Sequence, residues 1–235
     1  MSAIFRREMK MFFANPIGYI VLAVLYAVAG YYFWGENLYS GRADLGGVFN
    51  MLFSVSLLVL PLVTMRLFSE EKKQRTDQAL LTAPTGLTAI VLGKFFAAML
   101  LFLIGIAVTL VFAVIIAFKA TPDWMVIIGN FVGLLLVGGM IIAIGLLISS
   151  LTESQVIAGF GALGVSLLIF SVDTLGSIFR SFSWITAVTE FLSVSTRYND
   201  FTSGVINYDN IVFFLSIQAL FLFLTVRVLD SKRWK

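Results

Sequence analysis

The sequence predicts an all-α membrane protein with six transmembrane helices. Six long apolar runs cover most of the 235 residues, and the charged residues lie almost entirely between them. Hydrophobic residues make up 60% of the chain and charged residues 12%, whereas soluble domains average about 45–50% and about 25%. Each run approaches the roughly 20 apolar residues that a helix needs to cross about 30 Å of hydrocarbon. We therefore expect residues 1–235 to form one membrane domain.

The first predicted span resembles a secretory signal peptide in two respects. Basic residues precede it, and Ala27-Val28-Ala29 mimics a cleavage site. Its apolar run continues past that site, which favours a span that is retained in the mature protein. The six predicted spans are Ile17–Trp34, Val48–Met65, Phe95–Phe118, Trp124–Leu151, Val156–Val172 and Ile211–Val226.

The distribution of Lys and Arg predicts the orientation of the chain. Twelve of the 16 basic residues lie at the two termini or between spans two and three, which places these segments on one side of the membrane. Short cytoplasmic loops carry an excess of Lys and Arg. We therefore expect both termini in the cytoplasm, an even number of spans and a location in the cytoplasmic (inner) membrane of the cell.

The composition excludes several classes of function. The chain contains neither His nor Cys, so it lacks the commonest general base, the commonest metal ligands and any thiol nucleophile. The net charge is only +3, and the chain has no basic module of the kind that nucleic-acid-binding proteins use. We expect no catalytic residue, no metal or cofactor in this chain, and no nucleic-acid partner.

The centres of the predicted spans carry no ionisable residues, which argues against a proton-driven carrier or an ion channel. Glycines in spans four and five serve either close packing within the chain or a surface that slides and rearranges. Charged residues near the span ends are expected to snorkel toward water; they are Arg66, Lys94, Glu153 and Arg227. Five polar side chains are expected to form interhelical hydrogen bonds; they are Ser54, Ser56, Thr109, Asn130 and Gln218.

Residues Ser2–Asn15 are predicted to form an amphipathic helix that lies in the membrane interface. Pro16 disfavours helical backbone at Asn15 and sets a bend before the first span. The helix is either a lipid anchor and topology signal or a platform for a cytoplasmic partner. Its apolar face carries Phe5, Met9, Phe12 and Phe13, and its basic face carries Arg6, Arg7 and Lys10.

A short charged helix is predicted between spans two and three, within residues 66–88. Ser69 is its expected N-cap, and Glu70 and Glu71 in its first turn suit the helix dipole. Pro84 ends it. We expect a solvent-exposed element that transmits a push from a soluble partner into the membrane. The alternative is a solvated charged loop.

Residues 173–210 are predicted to form short interfacial helices on the outer side, some of which dip back into the membrane. The segment is too long for a turn and too apolar for a solvated loop. Helical backbone satisfies its own hydrogen bonds at that depth, whereas loose coil does not. The alternative is a surface loop that lies on the lipid headgroups.

Two stretches of the chain are motif-like, and one of them departs from its usual pattern. The first contains Glu70-Glu71, Thr76, Leu80-Leu81-Thr82-Ala83-Pro84 and Val91-Leu92-Gly93-Lys94. The second contains Arg197-Tyr198, Asp200-Phe201-Thr202-Ser203-Gly204-Val205-Ile206, Asp209 and Leu224-Thr225-Val226-Arg227. Together they resemble the membrane subunit of ABC-2 type transporters, most closely the gliding-motility and NosY-like permease group. The departure is at Arg75 and Asp77-Gln78, where members often have Gly before the Thr and Glu after it.

The resemblance implies a permease that pairs with a second copy or a related permease and docks on two ABC ATP-binding subunits. ATP and Mg²⁺ would be bound by those subunits, whose closure would rock the permease halves between inward and outward states. An outer gate of re-entrant helices is implied, with Phe179, Phe182 and Trp184. The implied ATPase-coupling residues are Arg6, Arg7, Lys10, Glu70, Glu71, Thr76, Asp77, Leu80, Leu81 and Glu153.

The chain has no recognisable ATP site of its own. A P-loop reads G-x-x-x-x-G-K-[ST], and the nearest match, Gly86 with Gly93-Lys94-Phe95, has the wrong spacing and Phe at the last position. We expect a non-enzymatic subunit of an ATP-driven exporter for an amphipathic or lipidic substrate. The alternative is a membrane anchor or scaffold. A secondary carrier is disfavoured, because it would need charged or broken helices at the midplane. An intramembrane enzyme is disfavoured as well, because it would need a group of catalytic residues.

Overall fold

The computed structural model of the protein describes residues 1–74, 86–172 and 193–233, and within these ranges every regular element is helical. A break at Met65, one turn after Pro61, separates α3 from α4. Residues Phe33–Tyr39 continue α2 as a π-helical segment. The helices are α1 Ser2–Ala14, α2 Pro16–Tyr32, α3 Gly46–Thr64, α4 Arg66–Lys73, α5 Leu87–Ile106, α6 Val108–Ala117, α7 Trp124–Leu151, α8 Gln155–Phe170, α9 Val194–Thr202 and α10 Tyr208–Arg233.

Five helical stretches of the described chain are long and apolar enough to cross a membrane, which confirms the predicted fold class. The predicted fifth span, Val156–Val172, corresponds to α8, whose 16 residues extend only about 24 Å. The count of six spans therefore stays a prediction, because residues 173–192, which follow α8 closely, lie outside the described residues. The five stretches are Pro16–Tyr39, Gly46–Lys73, Leu87–Ala117, Trp124–Leu151 and Tyr208–Ser231.

Helix α7 lies at the centre of the helix bundle. In the most apolar 18-residue stretch of α7, 67% is buried, compared with 17% in the corresponding stretch of α10. Helix α7 contacts α3, α4, α5, α8, α9 and α10. Small residues allow these close approaches. A Cβ at Gly138 would lie 2.1 Å from Cε1 of Phe102, and a Cβ at Gly145 would lie 2.0 Å from Oγ1 of Thr64. These contacts support the packing interpretation of the α7 glycines.

Gly138→Ala is expected to lower the free energy of unfolding by about 1–3 kcal/mol, since overpacking of a filled core costs that much. The ring of Phe102 is itself buried and has no free space to move into. Gly164→Ala in α8 is the matched control, because no atom lies within 4 Å of its added Cβ. Thermal unfolding of both variants in mild detergent tests the packing. Equal unfolding temperatures for the two variants would contradict it.

The polar side chains within the spans divide into two groups. Gln218 donates to the carbonyl of Leu136 at 3.0 Å and so joins α10 to α7, as expected. The three hydroxyl groups bond to the carbonyl of a residue three or four positions earlier in the same span, as such groups commonly do. For Thr109 in α6 that residue is Ile106, the last residue of α5. The expectation of interhelical bonds was therefore wrong for Ser54, Ser56 and Thr109. Asn130 does both, donating to Val126 at 2.8 Å and to Thr202 at 3.4 Å.

The two ends of the bundle differ in charge. One end, which we call the basic end, contains α1, α4, the first turns of α5 and the turn between α7 and α8. The opposite end contains residues 40–45, the α6–α7 turn and α9. Helix α10 runs parallel to α7, since Thr202 just before it lies near Asn130 and Gln218 lies near Leu136. It therefore starts at the opposite end and finishes at the basic end, where α1 also lies.

Candidate functional site

A buried lysine joins three elements at the basic end. The ammonium group of Lys94 in α5 lies 2.8 Å from Oε1 of Glu8 in α1 and 3.0 Å from Oε1 of Glu71 in α4. It also donates to the carbonyl of Leu67 at 2.6 Å. The ammonium thus has two hydrogen-bond acceptors, and a second carboxylate lies at ion-pair distance. The Lys94 side chain is 0% exposed, and its ammonium lies 5.0 Å from the centre of the Phe68 ring.

A second cation completes this cluster. The guanidinium of Arg7 donates to the same Oε1 of Glu71 at 2.5 Å. Two carboxyl groups thus face two cations, which is the arrangement that buried charges need, since an unpaired charge in such a place is costly. The two carboxyl side chains are only 2% and 9% exposed. We call Arg7, Glu8, Glu71 and Lys94 the charge cluster.

Helix α4 is fastened to the end of α7 as well. The hydroxyl of Ser149 accepts the backbone N–H groups of Phe68 and Ser69, each at 3.1 Å. These N–H groups belong to the first turn of α4 and have no partner within the helix. The ammonium of Lys72 also donates to the carbonyl of Ser150. The capping group of α4 therefore comes from α7.

The predicted N-cap of this helix was wrong, and so was its full exposure. Ser69 lies inside α4, is buried, and donates from its hydroxyl to the carbonyl of Met65. The helix begins at Arg66, almost continuous with the span before it. Buried residues Glu71 and Lys72 face the protein rather than water. Only Lys73 and Gln74, at the end of the described part of this segment, are well exposed.

The remaining predicted coupling residues of the described chain lie at the same end. Glu70 is half-buried and accepts two hydrogen bonds from Arg66, at 2.8 and 2.9 Å. Glu153 is exposed in the turn between α7 and α8, just after the serines that hold α4. Arg6, Arg7 and Lys10 are exposed on α1. The other predicted coupling residues lie outside the described residues; they are Thr76, Asp77, Leu80 and Leu81.

Two members of the charge cluster were not among the predicted site residues. Glu8 lies on the face of α1 that also carries Phe5 and Phe12, and an acid among apolar residues was a signal available in the sequence. Lys94 was expected to snorkel, because the predicted span began at Phe95. The helix begins at Leu87 instead, so Lys94 lies about 10 Å inside it and is buried.

Burial raises the pKa of the Glu8 carboxyl above its ordinary value of 4.5, and the ammonium of Lys94 opposes that rise in part. Lys94 on α5, Glu71 on α4 and Arg7 on α1 are the charged groups that face it. Because the pKa of the folded state is the higher one, the stability that Glu8 contributes is complete below pH 4.5. It is lost as the pH rises through the raised pKa.

The Glu8→Gln variant should therefore gain stability relative to the wild type as the pH rises above 4.5. Glutamine keeps the shape of the neutral acid but has no proton to lose. Unfolding temperatures of both proteins, measured from pH 4 to 8 in the same detergent, test this. Parallel curves for the two proteins would show that Glu8 does not titrate differently on folding.

At the opposite end, a polar network holds α9 against the start of α10. Arg197 donates to Oδ1 of Asn210 at 3.1 Å, and Asn210 donates to Asp200 at 2.7 Å. The guanidinium also lies 4.2 Å from the centre of the Phe213 ring. Short helix α9 is consistent with the prediction for this end of residues 173–210. The predicted gate residues Phe179, Phe182 and Trp184 lie outside the described residues.

The charge cluster at the basic end joins three helices, α1, α4 and α5. In the described ranges, no group of three or more acidic residues is placed to hold a metal ion. The family model described as ABC-2 family transporter protein matches residues 37–226. The chain belongs to this family. No curated protein matches the sequence.

The region that matches the ABC-2 family includes most elements of the basic end. The match begins at the end of the π-helical segment and runs from α3 to most of α10, so it includes α4, Lys94 and the α7–α8 turn. The chain is thus a multi-pass membrane protein and the membrane component of an ABC transporter. Proteins of this kind are paired with ABC ATP-binding subunits. Helix α1 precedes the matched region, yet Glu8 binds Lys94 within it.

Proposed function

We propose that this ABC-2 protein is the membrane subunit of an ATP-driven exporter that acts as a permease dimer with two cytoplasmic ATP-binding subunits. The partner subunits bind ATP and Mg²⁺, and this chain supplies the path through the membrane. The observation that carries the proposal is the charge cluster. It fastens α1 and α4 to a membrane span while leaving charged side chains on the surface of the same end.

The docking surface of this proposal consists of exposed and half-buried charged residues at the basic end. Cations on α1 and an acid in the α7–α8 turn would meet complementary charges on each ATP-binding subunit, which steers association and fixes the register of docking. The proposal adds Thr76, Asp77, Leu80 and Leu81, on sequence grounds. The described members of the docking surface are Arg6, Arg7, Lys10, Glu70 and Glu153.

The proposed orientation places the basic end in the cytoplasm. Lys and Arg accumulate there in α1, α4 and the first turns of α5, as the cytoplasmic sides of membrane proteins do. Both α1 and the end of α10 would then be cytoplasmic. This is the side on which ATP-binding subunits, which lack membrane spans, can reach the protein.

The proposed substrate is amphipathic or lipidic. Hydroxyl groups inside the spans bond to backbone carbonyls of the same span, and the amide of Gln218 is used in packing α10 against α7. These side chains are therefore committed to the protein and do not form a polar binding site for an ion or a sugar. A small polar solute would need such groups along its path.

Purification of this chain from its native membrane in mild detergent tests the proposed function. We expect a P-loop protein to co-purify, with ATPase activity that vanadate inhibits. Mass spectrometry identifies the partner, and an ATPase assay on the eluate measures the activity. Recovery of the chain without a nucleotide-binding partner would overturn the exporter and favour a membrane anchor or scaffold.

A further inference from the structure

We propose that Lys94 is a positioning residue that locks α1 and α4 onto α5, so that the three elements move as one body whenever the transporter changes state. The inference rests on the proposed function in one respect, namely that a partner pushes on the basic end. It goes beyond that function by stating which elements move together. It assigns a role to Glu8 and Lys94, which lie among the residues least exposed to any partner.

Lys94 holds both α1 and α4 against α5. The ammonium donates hydrogen bonds to Glu8 of α1 and to the Leu67 carbonyl of α4, and it forms an ion pair with Glu71 of α4. Withdrawal of either helix from α5 leaves at least one donor of a buried ammonium without an acceptor. Leaving a charged group unsatisfied costs more than the bond contributed. Separation of either helix from α5 therefore costs free energy. Arg7 of α1 also binds Glu71 of α4, which joins these two helices to each other.

Close backbone contacts reinforce the lock on the α1 side. A Cβ at Gly93, next to Lys94, would lie 2.9 Å from Cγ2 of Ile4, so α1 rests directly on the backbone of α5. A Cβ at Gly18 would lie 2.4 Å from the carbonyl oxygen of Phe12, so the chain folds tightly from α1 into α2. Phe12 is buried, and Phe5, Met9 and Phe13 are partly buried against the core, so α1 packs on the helix bundle.

The thiol-free sequence allows a direct test of the lock. Cysteines at Ile4 and Gly93 would be the only thiols in the chain, and the two positions face each other across α1 and α5. We expect nearly complete disulfide formation in bilayer nanodiscs, both with and without nucleotide when the partner is present. Introduction of Lys94→Met into the double-cysteine protein should lower the cross-linked fraction at least about tenfold, because it breaks the buried pairs.

Arg66→Met in the same double-cysteine protein is the matched control. It also removes a cation of the basic end, but that cation pairs with Glu70 at a partly exposed site. The cross-linked fraction should therefore be unchanged. A positioning role for Lys94 is overturned if Lys94→Met and Arg66→Met give the same cross-linked fraction.

The ATPase of the co-purified partner tests whether the lock persists through the cycle. If the three elements move as one body, the oxidised double-cysteine protein stimulates the ATPase as well as the reduced one. Loss of stimulation on oxidation, with recovery on reduction, would overturn the proposal by showing that α1 must move relative to α5. Where no ATPase co-purifies, the proposed function fails, yet cross-linking of the permease alone still decides whether Lys94 holds α1 on α5.

Discussion

Lys94→Met is expected to lower the free energy of unfolding by about 3–5 kcal/mol, the cost of removing one partner from a buried ion pair. Methionine has a similar shape but no charge, so the carboxyl groups of Glu8 and Glu71 would face each other with Arg7 as the remaining cation of the charge cluster. The carbonyl of Leu67 would lose its side-chain donor as well. Denaturant titration of the purified chain in mixed micelles measures the change.

Arg66→Met is the variant with which the loss of stability in Lys94→Met is compared. The Arg66–Glu70 pair is one turn apart on α4, with side chains 21% and 31% exposed, and such pairs contribute about 0–1 kcal/mol. A change for Lys94→Met no larger than that for Arg66→Met would contradict the burial of the cluster. For the double variant Glu8→Gln with Lys94→Met, the change in the free energy of unfolding should differ from the sum of the two single changes by at least about 0.5 kcal/mol, because the two residues share one interaction.

Hydropathy predicts the fold class well because unpaired backbone groups and charges are unfavourable in hydrocarbon. This free-energy cost depends on the sequence of each segment separately. The N-terminal helix was predicted as Ser2–Asn15 and runs from Ser2 to Ala14, since the apolar face and Pro16 are local signals. The long spans follow from the same local rule. Such features need no knowledge of which segments lie next to each other in the folded protein.

The charge cluster could not be predicted in this way because its partners are far apart in the sequence. Lys94 binds Glu8, 86 residues away, and Leu67, 27 residues away. A charged residue without a known partner marks the end of a span, so the third span was predicted to start at Phe95. Once Glu8 and Glu71 neutralise it, the lysine is tolerated inside the helix, and the span begins at Leu87.

The start of α4 was mispredicted for the same reason, because its capping hydrogen bonds come from a residue far away in the sequence. Local pattern favours Ser69 as N-cap, because serine before two acids commonly begins a helix. In the structure the unpaired N–H groups of the first turn bind Ser149, 80 and 81 residues away. A cap from another helix leaves no local mark, and α4 can then start earlier, at Arg66.

Reversal of two charges on α1 is expected to uncouple the partner ATPase while leaving the permease folded. Arg6 and Lys10 are exposed, one turn apart, and neither forms an ion pair within the described chain. The variant Arg6→Glu with Lys10→Glu should lower permease-stimulated ATPase activity at least about tenfold, because like charges facing each other across an interface cost several kcal/mol. The measurement is ATPase activity of reconstituted complexes at equal permease content.

Exposed residues make this test sharper than reversal of Glu70 and Glu71. A lysine at position 71 would lie beside Lys94, which now contacts Glu71 at 3.0 Å, so loss of activity would mix lost docking with a broken cluster. The matched control is Arg42→Glu with Lys119→Glu, two exposed cations at the opposite end. Ten basic residues remain on the cytoplasmic side in the α1 variant, so its orientation should persist, and protease accessibility of a terminal tag verifies it. Unchanged ATPase stimulation in a correctly oriented α1 variant would exclude α1 from the docking surface. Among the described residues, the exposed α7–α8 turn would then be tested next with Glu153→Lys.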